Sequence, residues 1–260
     1  MTYLEFLLVF LLPPLLVAGV WAWPHLRRPR PVLAVTALPL IALAYTTPWD
    51  NYLVKTGVWW YGPDRVLGTL GYVPVEEYAF FLLQPLLAGL VLVALLGRSE
   101  RDRGSPASAA AGKSGVGSAS ASAATAGVVR LAGFVVFAAV AVLGLVALQR
   151  PSGTYLGLIL VWAAPVLALQ WAWAGVEIWL RRRPLAFGVA LLTVYLWIAD
   201  AVAIHRGIWT ISDAHTTGLS LGVLPVEEAT FFLVTNLLVA FGVILFVHPP
   251  APARARSPGP

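Results

Sequence analysis

Residues 74–81 read P-V-E-E-Y-A-F-F, and residues 225–232 repeat this pattern as P-V-E-E-A-T-F-F. The likeness extends upstream through both halves of the chain. Further matched pairs are Asp50 and Asp200, Gly57 and Gly207, Trp59 and Trp209, and Tyr3 and Tyr155. The chain therefore contains two copies of one unit, and its fold is predicted from that unit and from its duplication.

The composition is that of an integral membrane protein. Of 260 residues, 59% are hydrophobic and only 11% are charged, whereas soluble domains carry about 25% charged residues. The mean hydropathy of +0.82 agrees with this prediction. The chain has no cysteine, which excludes disulfide frameworks, thiolate catalysis and cysteine metal sites.

Seven stretches are long and apolar enough to cross a bilayer, which takes about 20 mostly apolar residues. They lie near residues 3–23, 32–49, 73–97, 128–148, 155–179, 186–203 and 223–247. The first stretch lacks the basic start and small-residue cleavage site of a signal peptide, so we keep it as a span. The sequence thus predicts an all-α integral membrane protein with seven transmembrane helices.

The spans divide into two repeats of three. We predict repeats at residues 1–97 and 151–248, a flexible Ala/Gly/Ser linker at 98–127, a connecting transmembrane helix at 128–150, and a disordered tail at 249–260. Three spans move the chain to the opposite side of the membrane, so the one added span makes the repeats parallel. Both P-V-E-E segments are then expected at the same end of the molecule, at the start of a helix.

The basic residues indicate orientation. Relative to the predicted spans, 13 of the 17 lysines and arginines fall on one side and four on the other. By the positive-inside rule, we expect the amino terminus outside the cell membrane and the carboxyl terminus in the cytoplasm. The positive net charge is thus a topology signal, and we predict no nucleic-acid partner.

The paired glutamates are the candidate catalytic groups. Proline followed by acidic residues commonly starts a helix, but acidic residues at the start of a membrane span are costly and usually functional. Burial among aromatic rings disfavours the charged form of a carboxyl, and ring faces stabilise cations. Such carboxyls are suited to donating a proton to an apolar substrate and taking one back. The predicted catalytic residues are Glu76, Glu77, Glu227 and Glu228.

Other matched residues are predicted to bind substrate. They are Asp50, Asp200, Trp59, Trp209, Phe80, Phe81, Phe231 and Phe232. For the aspartates, solvation at the membrane interface stays open as an alternative. For the tryptophans, the alternative is an ordinary interfacial aromatic belt. We expect no metal site.

The duplicated P-V-E-E-x-x-F-F, the upstream G-x-W and the three-span repeat resemble the lycopene cyclase domain family, the heterodimeric-type carotenoid cyclases. In that family two small three-span subunits form the enzyme, and this chain resembles both subunits joined. The resemblance implies non-redox cyclisation of the linear end groups of lycopene to ionone rings, as in γ- and β-carotene. It maps the catalytic carboxyls onto the four glutamates and does not say which is the acid.

The resemblance also implies partners and cofactors. The substrate would be lycopene dissolved in membrane lipid, and we expect no cofactor. Association with other enzymes of the carotenoid pathway stays open. Alternative functions are cyclisation of elongated fifty-carbon carotenoids, a small proton-coupled transporter, and a scaffold for other carotenoid enzymes. Transporters often contain inverted repeats, so the predicted parallel repeats weigh against transport.

Overall fold

The computed structural model describes residues 1–104 and 123–250. This part contains seven helices long and apolar enough to cross a membrane, which confirms the predicted spans. The helices are α1 (Tyr3–His25), α2 (Pro29–Lys55), α3 (Val75–Gly104), α4 (Ala123–Ala147), α5 (Thr154–Leu180), α6 (Arg182–His205) and α7 (Val226–Val247). Helix α1 includes one π-helical turn, Leu7–Leu11.

The predicted linker boundaries were wrong at both ends. Residues 98–104 continue helix α3, and residues 123–127 belong to helix α4. The first segment contains three arginines and one glutamate, the second contains three alanines, and these residues favour helix. The remainder of the predicted linker, 105–122, lies outside the described residues, as does the part of the predicted tail at 251–260.

Short strands, which the pattern of apolar spans does not predict, occupy the loops that follow α2 and α6. The strands are β1 (Trp59–Tyr61), β2 (Thr69–Leu70), β3 (Val73–Pro74), β4 (Trp209–Ile211), β5 (Ser220–Leu221) and β6 (Leu224–Pro225). Strand β1 pairs antiparallel with β4, with Trp60 opposite Thr210. Because β1 and β4 come from different repeats, both loops lie at one end of the molecule, which we name the loop end.

Matched glycines turn the chain from helix into strand. Gly57 and Gly207 have positive φ values of 71° and 63°, a conformation that costs glycine little. The residue after each glycine donates a backbone hydrogen bond to the carbonyl five residues earlier, as in a Schellman motif at the end of a helix. Val58 N donates to Leu53 O at 3.0 Å, and the matching bond in the second repeat is also 3.0 Å.

Helices α3 and α7 meet at the centre of the bundle and run parallel, as the span count predicts. Near their starts, the rings of Phe80 and Phe232 are 6.3 Å apart. One helical turn further, Gln84 Nε2 donates to Asn236 Oδ1 at 2.9 Å, and both side chains are buried. The matched ends of the two repeats therefore face each other.

The connecting helix α4 packs against α5 and lies outside both repeats. Glycines allow the close approach: a Cβ at Gly144 would lie 2.8 Å from the Leu160 side chain, and one at Gly157 would lie 2.8 Å from Gly144 O. Small residues at such contacts are typical of membrane helix pairs. Helix α4 thus connects the repeats without entering the region between them.

Candidate active site

A cavity with an empty volume of about 540 Å³ lies at the loop end, between the repeats. We call it the central cavity. Its wall consists of Tyr3, Phe6, Asp50, Trp59, Tyr61, Glu77, Phe80, Tyr155, Leu196, Asp200, Trp209, Ile211, Glu228, Phe231 and Phe232. Four carboxyls and three phenols therefore share an otherwise apolar space, and this wall contains no lysine, arginine or histidine. Since neighbouring like charges repel, the carboxyls are expected to hold protons in common.

Glu77 and Glu228 lie in the first turns of α3 and α7, and each accepts a hydrogen bond from the tyrosine that begins its own repeat. Tyr3 Oη donates to Glu77 Oε2 at 2.8 Å, and Tyr155 Oη donates to Glu228 Oε1 at 2.6 Å. The backbone N–H of each tyrosine donates to a loop carbonyl, at 2.8 Å and 3.0 Å. The first and third helices of each repeat are thereby joined at the site.

The two glutamates are not equivalent. Glu77 Oε2 also accepts a hydrogen bond from Tyr61 Oη at 3.0 Å. Burial, followed by the nearby Glu77 carboxylate, raises the pKa of the Tyr61 phenol well above its usual value, so Tyr61 stays a donor. The matching position of the second repeat is Ile211, which has no hydroxyl. Hydrogen bonds to a carboxylate favour its charged form, so Glu77 has one more group stabilising that form than Glu228.

Glu76 and Glu227 are absent from the cavity wall, although they adjoin the two glutamates that form it. Leu67 N donates to Glu76 Oε1 at 2.8 Å. Thr217 donates to Glu227 Oε1 through its backbone N at 2.7 Å and its hydroxyl at 2.8 Å. The structure therefore divides the four predicted glutamates into two that face the cavity and two that hold the adjoining loops.

The matched aspartates lie in the cavity wall and are only 1% exposed. Interfacial solvation is therefore the wrong alternative for them. Trp209 Nε1 donates to Asp200 Oδ1 at 2.9 Å. Among the described residues, the Oδ2 atoms of both Asp50 and Asp200 are buried without a hydrogen-bond partner. These atoms are available to a proton or to another polar group in the cavity.

Aromatic side chains cross between the repeats. Trp209 contacts Tyr3, with ring centroids 5.1 Å apart, and Trp59 contacts Tyr155 at 5.2 Å. Each tryptophan therefore packs on the glutamate-bound tyrosine of the other repeat, an arrangement that an interfacial belt does not describe. Three of the four predicted phenylalanines also line the central cavity, whereas Phe81 lines a neighbouring one.

The three tyrosines were not predicted as site residues from the sequence. Tyr3 and Tyr155 carried a usable signal, because they match in the repeat, but nothing local linked them to glutamates more than 70 residues away. Tyr61 has no matching tyrosine in the second repeat, so the duplication did not indicate it. Within residues 1–104 and 123–250, no group of three or more histidine, aspartate or glutamate side chains could hold a metal ion.

This combination defines a class of protein. Carboxyls hydrogen-bonded to phenols, inside an aromatic cavity between membrane helices, can give protons to an apolar molecule and take them back. Ring faces around them can stabilise a cation. The fold is thus that of a multi-pass membrane protein, and the site contains the groups that acid–base chemistry on a lipid-soluble substrate requires.

Comparison with known proteins gives the family. The lycopene cyclase family model matches residues 1–95 and 152–247. A lycopene β-cyclase from Halobacterium salinarum is 42% identical over 250 residues, covering 94% of this chain and 95% of the relative. The chain therefore belongs to the lycopene cyclase family and is an enzyme of the lycopene β-cyclase type.

Fungal relatives are longer. A bifunctional lycopene cyclase/phytoene synthase from Phaeosphaeria nodorum is 38% identical over 218 residues, which cover 82% of this chain and 35% of the fungal protein. A protein of the same name from Colletotrichum graminicola is 37% identical over 247 residues, with coverages of 91% and 39%. No solved structure matches the chain significantly.

Proposed function

We propose that this enzyme cyclises the linear end groups of lycopene in the central cavity, with Glu77 and Glu228 exchanging protons with the substrate. The observation that carries this proposal is the matched pair of tyrosine-bound glutamates facing one apolar cavity. The family membership supplies the reaction, and the site supplies an acid, a base and ring faces for a cation.

The reaction is a balanced isomerisation. A carboxylic acid adds its proton to the terminal double bond of the substrate, which leaves a tertiary carbocation. The double bond five carbons along the chain attacks that cation and closes a six-membered ring, which moves the positive charge into the ring. A carboxylate then removes a ring proton and restores a double bond. One proton is gained and one is lost, so no oxidant or reductant enters the reaction.

The hydrogen bonds indicate how the two glutamates share these steps. We assign the base to Glu77, because the phenols of Tyr3 and Tyr61 both stabilise its carboxylate. We assign the acid to Glu228, which accepts a bond only from Tyr155 among the hydrogen bonds described for it. Asp50 and Asp200 lie beside this pair and serve as further carboxyls through which protons can be shared.

Glu76 and Glu227 are assigned a positioning role. Their carboxylates accept hydrogen bonds from the loops that precede α3 and α7. Through those loops they hold the first turns of the helices, and so the neighbouring Glu77 and Glu228, in place. Direct proton transfer is assigned to the cavity-facing pair alone.

The same proposal includes location and partners. The distribution of basic residues supports the cell membrane, with the loop end and the amino terminus outside and the carboxyl terminus in the cytoplasm. Lycopene would reach the site from the surrounding lipid, since a long hydrocarbon partitions into the bilayer. Association with other carotenoid-pathway enzymes would deliver lycopene and remove its cyclic products.

Pigment analysis tests the function. Bacteria that make lycopene are transformed with the native chain or with Glu228→Gln, and their carotenoids are separated by chromatography. The native chain should produce cyclic carotenes, and the variant should leave most of the lycopene unconverted at an equal amount of membrane protein. Lycopene that persists with the native chain would contradict the proposed substrate.

A further inference from the structure

A second cavity adjoins the central one and extends along the helices away from the loop end. We call it the side cavity. Its empty volume is about 660 Å³, and its wall comes from helices α2, α3, α5 and α7. Phe80 and Phe231 belong to the walls of both cavities. A chain-like molecule with its end in the central cavity would therefore continue into the side cavity past these two rings.

The side cavity favours an apolar occupant. Most of its wall is aliphatic or aromatic. Three of its polar side chains donate hydrogen bonds to protein groups: Gln84 to Asn236, Gln170 to the carbonyl of Leu238, and Thr235 to the carbonyl of Phe231. No charged residue lines it among the described residues. Among the described residues, Trp162 Nε1 and Gln170 Oε1 of this wall are buried without a hydrogen-bond partner. A hydrocarbon chain meets the remaining aliphatic and aromatic surface at little cost, whereas a strongly polar ligand would replace only a small part of its water shell.

A row of stacked rings leads from the outside of the bundle to the central cavity. Tyr45 stacks on Trp162 with centroids 5.4 Å apart, Trp162 stacks on Trp49 at 4.7 Å, and Trp49 stacks on Phe231 at 5.8 Å. Tyr45 is 41% exposed at the outer end of this row, and Phe231 lines the central cavity at the inner end. Flat ring faces offer continuous dispersion contacts to a flat conjugated chain.

Two residues of α2 from this row, Tyr45 and Trp49, both contact Trp162 of α5 across the gap between these helices. Tyr45 Oη donates to Trp162 O at 2.8 Å. Next to this bond, Ile41 lines the side cavity and is 54% exposed on the outer surface. The side cavity thus reaches the lipid-facing surface beside a bond that joins the two repeats.

The matched interface on the opposite side, between α6 and α1, differs. It keeps the cross-repeat bond, since Tyr195 Oη donates to Phe10 O at 2.7 Å. However, the two indole rings of the α2–α5 interface are replaced here. Phe10 is the repeat partner of Trp162, and Ala199 is the repeat partner of Trp49. Leu192, buried, occupies the position of the smaller Ala42. The row of stacked indoles and the space beside it therefore belong to one interface.

We propose that the side cavity binds the conjugated chain of the substrate, and that the α2–α5 gap at Tyr45 and Trp162 is its entrance from the lipid. One end group then lies between Glu77 and Glu228, the conjugated chain lies along the stacked rings, and the remainder of the molecule stays in the bilayer. This inference rests on the proposed function, because it concerns the path to that same site.

A pair of substitutions on one helix tests it. Ala42 lines the side cavity, and Ala44, two residues away, faces outward. Purified Ala42→Trp and Ala44→Trp are compared with the native enzyme on lycopene and on a short analogue that keeps the reacting end group but carries few conjugated double bonds. Thermal unfolding in detergent checks that both variants are folded.

The two substrates separate blocking of the entrance from general damage. Ala42→Trp should lower kcat/KM for lycopene by about tenfold or more and leave conversion of the short analogue unchanged, because that molecule ends before the side cavity. Ala44→Trp should leave both unchanged. Native-like conversion of lycopene by Ala42→Trp, or an equal loss on both substrates, would overturn the inference. A native enzyme that converts neither substrate would overturn the proposed function itself.

Discussion

Replacing the cavity-facing glutamates by glutamine tests the assignment of acid and base. Glutamine has the shape of glutamate and its amide oxygen can still accept a phenol hydrogen bond, but it neither donates nor accepts the proton of the reaction. A positioned general acid contributes about 100- to 10,000-fold to a rate, which corresponds to about 3 to 5 kcal/mol of barrier. Glu228→Gln should therefore lower kcat for lycopene cyclisation by that factor, with no change in ring type in the residual product.

Glu77→Gln should behave differently, although it lowers kcat as well. Without its base, the ring cation loses a proton to another acceptor in the cavity, so the residual product should have a changed double-bond position. The assay is conversion of lycopene by membranes containing each variant, followed by chromatography and mass spectrometry of the carotenoids.

Glu76→Gln is the matched control on the same helix. Its amide oxygen can still accept the hydrogen bond from Leu67 N, so the loss should not exceed the contribution of one hydrogen bond, about 1 kcal/mol. The rate should fall by less than about tenfold. A loss for Glu76→Gln as large as that for Glu228→Gln, or a native rate for Glu228→Gln, would refute the division of the four glutamates.

Other perturbations give further expected outcomes. Tyr155→Phe should lower kcat more than Tyr3→Phe in the same assay, because without the Tyr3 hydroxyl Glu77 still accepts a hydrogen bond from Tyr61. Equal effects of the two substitutions would contradict this prediction. Gly207→Ala should destabilise the detergent-solubilised protein by about 1 kcal/mol or more because its φ is 63°, whereas Gly19→Ala, with open space around it, should not. Burial, then a neighbouring arginine, lowers the pKa of His248. As the pH falls, the His248 imidazole therefore takes up a proton in the unfolded chain before it does so in the folded protein. The free energy of unfolding should then fall as pH drops below about 6.5. Thermal unfolding of His248→Gln should lack that part of the pH dependence.

The spans and their duplication were predictable because both depend on local composition and on simple counting. About 20 apolar residues suffice to identify a membrane helix, and counting spans shows that the one added span makes two three-span repeats parallel. The helix starts at the P-V-E-E segments were also predictable, since proline and acidic residues favour the first turn. The linker boundaries failed because residues 98–104 continue a helix beyond the apolar stretch that was used to define the span.

The site was only partly predictable, because its decisive contacts join distant positions. The sequence could not distinguish Glu76 from Glu77, which differ by one residue and by about 100° around the helix. Glu76 faces a loop and Glu77 faces the cavity, and which glutamate faces which depends on how α3 packs. The bond between Tyr155 and Glu228 joins positions 73 residues apart. The pairing of β1 with β4 likewise depends on contact between the repeats, which no local pattern encodes.

Isotope incorporation tests proton-initiated cyclisation most directly. The native enzyme is incubated with unlabelled lycopene in deuterated water, and the cyclic products are examined by mass spectrometry. Protonation by a carboxyl that exchanges with solvent predicts a single deuterium per ring, kept at the carbon next to the ring-closing position. Cyclic product that carries no deuterium would contradict a solvent-exchangeable carboxylic acid as the group that begins the reaction.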